Sequence, residues 1–201
     1  YAPLLAEALF APSPDAYLCE PGESAADRAN RAADALAELL ERHAGEICAL
    51  ILEPRVQCAG GMRMHDPQYL RRARKLCDAH GVFLIADEIA VGFGRTGTMF
   101  ACEQSNVQPD LLCLSKGLTG GFLPLAAVLC TQAIYDGFLD DSRERAFLHS
   151  HSYTGNPLAC AAALASLAIF ESDGVLARNR ATASRMAELA AKDEPVVRRV
   201  L

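Results

Sequence analysis

Two short apolar stretches decide the fold of this chain: residues 82–88 read VFLIADE, and residues 109–121 read PDLLCLSKGLTGG. Neither stretch alternates apolar with polar residues, and each lies beside glycine or proline. This pattern is typical of strands that are buried on both faces of a parallel sheet between helices. Because ligands bind outside the carboxyl ends of such strands, Asp87 and Lys116 are predicted to open into one crevice.

An acid and an amine at one crevice suit pyridoxal phosphate chemistry. A lysine amine bonds to the aldehyde carbon of that cofactor, and a carboxylate that faces the pyridine nitrogen keeps this nitrogen protonated. The positive nitrogen in turn favours the ionised form of the carboxylate. Spacing alone leaves a simpler alternative open, in which Asp87 caps a helix or pairs with an arginine and Lys116 is a solvated loop residue.

Three blocks of sequence, taken in order, resemble the signature of the class III aminotransferases. They are residues 87–97 (DEIAVGFGRTG), residues 115–118 (SKGL) and residues 151–159 (HSYTGNPLA). The resemblance implies an α/β fold, namely fold type I of the pyridoxal-phosphate-dependent transferases, whose large domain has a mostly parallel sheet between helices. It also implies that Lys116 and Asp87 are the catalytic residues and bind pyridoxal 5'-phosphate.

The resemblance gives expected roles to two further side chains. Ser152 stands where family members usually have a threonine that contacts the cofactor phosphate of the neighbouring subunit, so a homodimer with shared active sites is expected. Arg95 lies in a glycine-punctuated loop and is expected to bind a substrate carboxylate, with a structural salt bridge as the alternative.

Glycine positions complete the expected site. A glycine equivalent at position 150 is expected to bind the substrate together with Arg95, and its exact role is unknown. The glycines at positions 117, 120 and 121 are expected to leave the backbone uncrowded, so that Lys116 can swing.

Further positions favour one branch of the class, which transfers the amino group of S-adenosylmethionine to 8-amino-7-oxononanoate and gives 7,8-diaminononanoate in biotin biosynthesis. The similar positions are 9–12, 57, 59–64, 100–103, 116–121 and 155–163. Ala59 and Ala90 agree with this branch, because ornithine- and aminobutyrate-type members carry glutamate and glutamine there. Cys58 stands where the family usually has glycine. Two alternatives stay open: another class III enzyme that acts on an ω-amino acid, and a truncated chain without catalysis.

Periodicity and capping residues predict the other elements. Ser24, followed three residues later by Asp27, resembles a capping box, and Gly81 is expected to end the second helix. Predicted helices cover residues 24–43, 67–80, 132–139, 158–170 and 175–192, and predicted strands cover residues 47–52, 82–86, 109–115, 125–131 and 195–201. Strand, helix and strand between residues 47 and 86 fit one parallel crossover, so Glu53 and Asp87 should leave the sheet at the same edge.

Domain organisation follows from the same resemblance. Residues 1–172 are expected to form part of the large domain, and residues 173–201 are expected to begin the smaller C-terminal domain. The phosphate loop with glycine and serine, and the aromatic residue that stacks on the cofactor in the family, have no counterpart in this sequence. The chain is therefore expected to be a fragment of a longer enzyme.

Composition limits the partners and the compartment. A net charge of −6, without a block of lysine and arginine, argues against nucleic acid or an anionic membrane and leaves small-molecule substrates. None of the eight cysteines forms a C-x-x-C pair, which is typical of reduced thiols in a cytoplasmic protein. No signal peptide is expected, and the residues given contain no apolar run of membrane-spanning length. His149 and His151 lack a third ligand at suitable spacing, so no metal site is predicted.

Overall fold

The computed structural model describes residues 7–190, which contain both helices and strands. The strands are β1 (Ala49–Leu52), β2 (Val56–Gln57), β3 (Arg63–Met64), β4 (Phe83–Asp87), β5 (Leu111–Leu114) and β6 (Ala127–Cys130). The helices are α1 (Ala25–Arg42), α2 (Pro67–His80), α3 (Gln132–Asp136), α4 (Pro157–Ser172) and α5 (Val175–Ala190). Short 3₁₀ turns cover Ala101–Ser105 and Lys116–Thr119. The strand predicted over residues 195–201 lies outside the described residues.

The main sheet has the order β1-β4-β5-β6, and its first three strands are parallel. The register pairs Leu52 with Ala86 and Asp87 with Cys113, so the carboxyl ends of β1, β4 and β5 lie at one edge. β6 pairs with β5 in the antiparallel sense. An antiparallel neighbour needs no crossover helix, and the residues between β5 and β6 contain only a short 3₁₀ turn. The predicted α/β fold with a mostly parallel sheet is confirmed.

Capping residues fix the bounds of the first two helices. Ser24 Oγ accepts a hydrogen bond from the Asp27 N–H at 3.1 Å, and the Asp27 carboxylate accepts one from the Ser24 N–H at 3.1 Å. This reciprocal pair satisfies two backbone donors that a helix start leaves free. Gly81 follows α2 with φ +66°, a left-handed conformation that glycine adopts without a steric penalty. Both predicted helix boundaries are confirmed.

Helices α1 and α2 cover one face of the sheet and form the main core. Leu84 and Ala86 of β4 are fully buried there, beside Leu36 of α1 and Leu70 of α2. Side chains alternate between the faces of a strand, and Phe83, next to Leu84, is 48% exposed. A second, smaller apolar cluster packs α4 against the turn that contains Lys116 and joins Phe93, Leu114, Leu118 and Ala163.

Helices α4 and α5 meet at a sharp bend. Asn156 caps α4, since its Oδ1 accepts hydrogen bonds from the N–H groups of Leu158 and Ala159. Gly174 separates the two helices with φ +59°. No single helix among the described residues is long and apolar enough to cross a membrane. Taken together, α4 and the part of α5 up to Met186 reach that length and composition, but the pair is bent by 72°.

Asp110 joins the strands at the amino end of the sheet, and its removal should destabilise the fold. Its Oδ2 accepts hydrogen bonds from Arg74 Nη1 and from the Leu84 N–H, both at 2.7 Å. Asp110→Ala leaves both donors without this partner, so we expect the free energy of unfolding to fall by about 2 to 3 kcal/mol. Urea unfolding of the full-length protein measures the change.

Asp78→Ala provides the matched control. Asp78 also lies 2.7 Å from an Arg74 nitrogen, but its side chain is 63% exposed and bridges no strands. An exposed ion pair contributes less than about 1 kcal/mol, so this variant should unfold almost like the wild type. Equal losses in the two variants would contradict the role assigned to Asp110.

Candidate active site

The carboxyl edge of the parallel strands gathers the charged residues that the sequence singled out. Glu53 follows β1 directly, Asp87 is the last residue of β4, and Lys116 comes two residues after β5. Cys113 of β5 pairs with Asp87, which places Lys116 only three residues beyond the partner of Asp87. Neighbouring strands are about 4.8 Å apart, so the two side chains start within reach of one small molecule. Glu53 leaves the sheet at the same edge, as predicted.

Asp87 is half-buried and only partly hydrogen-bonded by the protein. Its Oδ1 accepts a hydrogen bond from the Ile89 N–H at 3.0 Å. Among the described side chains and backbone groups, nothing donates a hydrogen bond to Oδ2, and Asp87 forms no ion pair with Lys116. One carboxylate oxygen is therefore available to a donor from outside the chain.

The backbone at Lys116 is held in an unusual conformation. Its φ of +40° lies in the left-handed region, which is costly for a residue with a side chain. Gly117 lies against the ring of Phe93, and a Cβ at position 117 would be 2.8 Å from the Cβ of Phe93. The expectation that Gly117 leaves the backbone uncrowded is therefore wrong, because glycine is required here for close packing. The Lys116 side chain itself is exposed.

Cys58, in the loop between β2 and β3, lies among four charged side chains. Its N–H donates to Glu53 Oε2 at 2.9 Å. Burial raises the pKa of the Cys58 thiol, the carboxylates of Glu53 and Asp87 raise it further, and the cations of Lys116 and Arg95 oppose them. The edge thus brings Asp87, Lys116 and Arg95 into one electrostatic neighbourhood, and Cys58 keeps its proton there.

Arg95 is exposed on the loop formed by residues 89–100. It forms no ion pair with any residue of the described part of the chain, which argues against the structural salt bridge considered from the sequence. Arg95 and Lys116 line one groove with part of α5, whereas Asp87 lines a second groove with Glu53 and Gln57. The sequence predicted one crevice for the amine and the carboxylate, whereas in the structure they line two different grooves.

Glu88 is a buried carboxylate that sequence reasoning did not assign. Its two oxygens accept hydrogen bonds from the N–H groups of Ala101 and Cys102 at 2.7 and 2.8 Å, and its own C=O accepts from the Gly92 N–H at 2.9 Å. Burial raises the pKa of this carboxyl group. Glu88 ties both ends of the 89–100 loop to β4. Its partners lie 13 and 14 residues away, so no local spacing reveals this role.

Ser152 lies apart from the residues at the sheet edge. It is exposed in the segment before α4 and makes no hydrogen bond with Asp87, Lys116 or Arg95 within residues 7–190. Within one chain, Asp87 and Lys116 start at one sheet edge, and Arg95 shares a groove with Lys116.

The expectation of a substrate-binding glycine at position 150 is wrong, because the residue there is Ser150. Its Oγ donates to Thr154 Oγ1 at 3.2 Å, and the residue is exposed in the same segment as Ser152. A serine carries a Cβ and a hydroxyl, so position 150 does not offer the bare backbone of a glycine. The glycine of this segment is Gly155, whose φ of +71° suits a residue without a side chain.

His65 is buried beside the carboxyl edge of the sheet and contacts the backbone of Glu53 there. Its imidazole is 6% exposed, with Nε2 3.1 Å from the Glu53 carbonyl oxygen and Nδ1 3.2 Å from the Asp66 carbonyl oxygen. Burial lowers the pKa of His65. A neutral imidazole has one N–H, so it donates to one of these two carbonyls at a time.

Comparisons with known proteins agree with this architecture. Residues 1–200 match the family model described as aminotransferase class-III. The chain belongs to the class-III aminotransferase family. The family and the fold predicted from the sequence are therefore confirmed.

Individual relatives are similar at the level of sequence and of structure. The chain is 53% identical over 193 residues to the adenosylmethionine-8-amino-7-oxononanoate aminotransferase of Nitratidesulfovibrio vulgaris, a match that covers 95% of this chain and 35% of that protein. The crystal structure of the protein of that name from Methanocaldococcus jannaschii superposes with a TM-score of 0.70 at 44% identity, over 73% of this chain and 35% of the other. A thermostable (S)-enantioselective omega-transaminase from Thermomicrobium roseum superposes with a TM-score of 0.74 at 35% identity, over 82% and 36%. The chain thus spans about a third of the length of these relatives.

The buried His65 should make stability depend on pH. Its folded pKa lies below the ordinary value of 6.5, so the unfolded chain binds the proton first as the pH falls below 6.5. The stability that neutral His65 supports is present above that value and is lost as the pH falls towards the folded pKa. We expect the loss of unfolding free energy between about pH 7.5 and about pH 5.5 to be smaller in His65→Gln than in the wild type.

Chemical unfolding at the two pH values checks this expectation. His149→Gln is the control, because His149 is exposed and lies outside the sheet edge. The control should keep the pH dependence of the wild type. An unchanged pH dependence in His65→Gln would show that His65 does not couple folding to protonation.

Proposed function

We propose that this chain carries the catalytic lysine and aspartate of an aminotransferase that moves the amino group of S-adenosylmethionine to 8-amino-7-oxononanoate, giving 7,8-diaminononanoate in biotin biosynthesis. The names of similar proteins support the reaction, and the class-III family supports pyridoxal 5'-phosphate as the cofactor. The single observation that carries the proposal is the parallel register that pairs Asp87 with Cys113. Because of this register, Asp87 and Lys116 both follow the chain out of the sheet at the same edge.

The residues at this edge fit the proposed cofactor. Asp87 Oδ2 has no hydrogen-bond donor among residues 7–190, so it is available to a protonated ring nitrogen. Lys116 is exposed and shares no salt bridge with Asp87, although it follows the strand β5 that pairs with the strand of Asp87. When bound, pyridoxal 5'-phosphate supplies an aldehyde carbon that bonds to amines and a ring that withdraws electrons from the substrate carbon.

Three side chains of this chain have separate roles in the proposed reaction. Lys116 would hold the cofactor through its amine, and Nζ would become free once a substrate amine takes that place. The free Nζ would act as the base that takes the proton from the amine-bearing carbon of the substrate, and as the acid that gives this proton to C4′, the former aldehyde carbon of the cofactor. Asp87 would accept a hydrogen bond from the ring nitrogen of the cofactor and so keep that nitrogen protonated. Arg95 binds a carboxylate of the substrate, because a guanidinium presents two parallel N–H donors to it.

A homodimer with two composite sites belongs to the proposal. Ser152 would donate a hydrogen bond to the cofactor phosphate of the partner subunit. Two features support this arrangement: Ser152 is exposed and apart from Lys116, and the large apolar side chains of Phe147, Leu148 and Tyr153 around it are 67%, 81% and 75% exposed. Exposed apolar patches of this kind mark protein–protein interfaces.

The proposal also includes the domain organisation, the cellular location and the partners of the protein. We assign residues 1–172 to the large domain, and residues 173–201 to the start of the small domain, with the boundary at the bend between α4 and α5. A cytoplasmic location is proposed from the eight free thiols and from the metabolites of the reaction. Neither nucleic acid nor a membrane surface is a proposed partner.

An ω-amino-acid aminotransferase is the second candidate function. The omega-transaminase from Thermomicrobium roseum superposes at least as well as the biotin-pathway relative, so the fold does not separate the two substrates. A half-reaction assay separates the two candidates, since the favoured function requires that S-adenosylmethionine aminate the cofactor. Amination by ω-amino acids alone would favour the second candidate.

Replacement of Lys116 tests the covalent role. The full-length protein, incubated with pyridoxal 5'-phosphate, should absorb in the near-ultraviolet to blue region, and Lys116→Ala should lose this band because no amine holds the cofactor. Asp87→Asn should lower kcat by at least about a hundredfold, because the amide does not keep the ring nitrogen protonated. Lys75→Ala, on the exposed side of α2, is the matched control and should keep both properties. A wild type without the band would leave only the non-catalytic alternative.

Mixed dimers test the composite site. Ser152→Asp places a carboxylate against the phosphate, and Lys116→Ala removes the amine, so each variant alone should be inactive. If Ser152 acts across the interface, a hybrid of the two has one intact site. Equal mixing with subunit exchange should then restore about a quarter of the wild-type activity, because half of the dimers are hybrids with one working site in two. No recovery after demonstrated exchange would mean that Ser152 does not serve the partner's site.

A further inference from the structure

A chain of side-chain hydrogen bonds joins the two loops beside the candidate active site. Arg55 lies at the start of the β2–β3 hairpin, and its Nε donates to Gln104 Oε1 at 3.0 Å. Its guanidinium also donates to the carbonyl oxygen of His65 at the end of the hairpin. Gln104 belongs to the 3₁₀ turn Ala101–Ser105, which directly follows the loop that carries Arg95. Neither Arg55 nor Gln104 was assigned a role from the sequence.

The contact with Arg55 determines how the Gln104 amide is oriented. Arginine only donates hydrogen bonds, so the amide oxygen of Gln104 must face Arg55 and the amide nitrogen must face the other way. This nitrogen lies 2.9 Å from the Thr96 carbonyl oxygen, 3.0 Å from Thr96 Oγ1 and 3.2 Å from Thr98 Oγ1. Arg55 therefore points the donor of Gln104 at the residue next to Arg95.

Polar side chains hold the 89–100 loop from two sides, that of the β2–β3 hairpin and that of α5. Glu88 holds the ends, and Phe93 packs against Gly117 beside Lys116. From the side of α5, Asn179 Nδ2 donates to the Gly94 carbonyl at 3.1 Å, and Arg180 Nη1 donates to the Gly97 carbonyl at 3.3 Å. The segment that carries Arg95 is thus held by Gln104 on the side of the hairpin. Arg55 has φ +67°, a conformation that a non-glycine residue keeps only where its contacts hold it.

We propose that Gln104 and Arg55 are positioning residues that set the Arg95 loop and thereby determine how tightly a carboxylate-bearing substrate binds. This inference rests on the proposed function, in which Arg95 binds a substrate carboxylate. Arg95 is exposed and has no ion-pair partner in the described part of the chain, so its backbone is what directs its guanidinium. Within residues 7–190, Gln104 makes no hydrogen bond with Asp87 or Lys116, so we expect its effect on substrate binding and not on proton transfer.

Gln104→Leu is the first test, because leucine fills similar space and makes no hydrogen bond. We expect amide hydrogen exchange in residues 89–100 to become at least about ten times faster. In the full-length enzyme, KM for a carboxylate-bearing substrate should rise about tenfold while kcat stays within about twofold. Gln132→Leu is the matched control, since Gln132 makes one exposed hydrogen bond to Asp136 on α3. This control should change neither exchange in the loop nor KM.

Arg55→Met is the second test, because it keeps the length of the side chain and removes the guanidinium. It should reproduce the faster exchange and the raised KM. The double variant should exceed the larger single effect by no more than about twofold, since both residues act through one chain of hydrogen bonds. Fully multiplied effects would overturn the proposed chain.

Two readouts separate this inference from the function on which it rests. Hydrogen exchange is measured without cofactor or substrate and reports on the loop directly. If the wild type is active, and Gln104→Leu keeps both the exchange rate and the KM values for S-adenosylmethionine and 8-amino-7-oxononanoate, the positioning role is wrong. If the wild type transfers no amino group from S-adenosylmethionine, the proposed function fails, and the role of the loop in binding these substrates fails with it.

Discussion

The parallel pairing of β4 with β5 is the constraint on which the candidate site depends. It sets Cys113 opposite Asp87, and the chain reaches Lys116 three residues later. A shift of one residue in this register would turn Asp87 towards the opposite face of the sheet. The register is held at both ends: Asp110 donates its N–H to the Leu84 carbonyl at the amino end, and Glu88 donates its N–H to the Cys113 carbonyl at the carboxyl end.

Backbone strain is concentrated around the same edge. Arg55, Phe93 and Lys116 have φ values of +67°, +57° and +40°, which non-glycine residues seldom adopt. Each such conformation costs about 1 to 3 kcal/mol and persists only where surrounding contacts determine it. Here the contacts are the Phe93 ring against Gly117 and the Arg55 guanidinium on Gln104. Rigid loops of this kind are typical of sites whose side chains must be held ready for a ligand.

Sequence reasoning succeeded where a short local pattern carries the physics. The capping pair of Ser24 and Asp27, the glycine stop after α2 and the apolar strands before Asp87 and Lys116 all act over a few residues, and all are present. It failed where the relevant contact is distant along the chain. Gly117 was expected to give freedom to the lysine, but Phe93, 24 residues earlier, occupies the space that a side chain would need.

The amino-acid sequence by itself determined the family, the α/β fold, most element boundaries and the convergence of Asp87 with Lys116 on one edge. These follow from periodicity, from caps and from the rule that parallel strands share an edge. Only the tertiary structure decided that Glu88 and Gln104 hold the Arg95 loop from distant positions, that Arg95 lacks an ion pair among residues 7–190, and that Ser152 lies apart. The physical reason is that such contacts depend on distances between side chains from separate elements, and these distances exist only once the chain has folded.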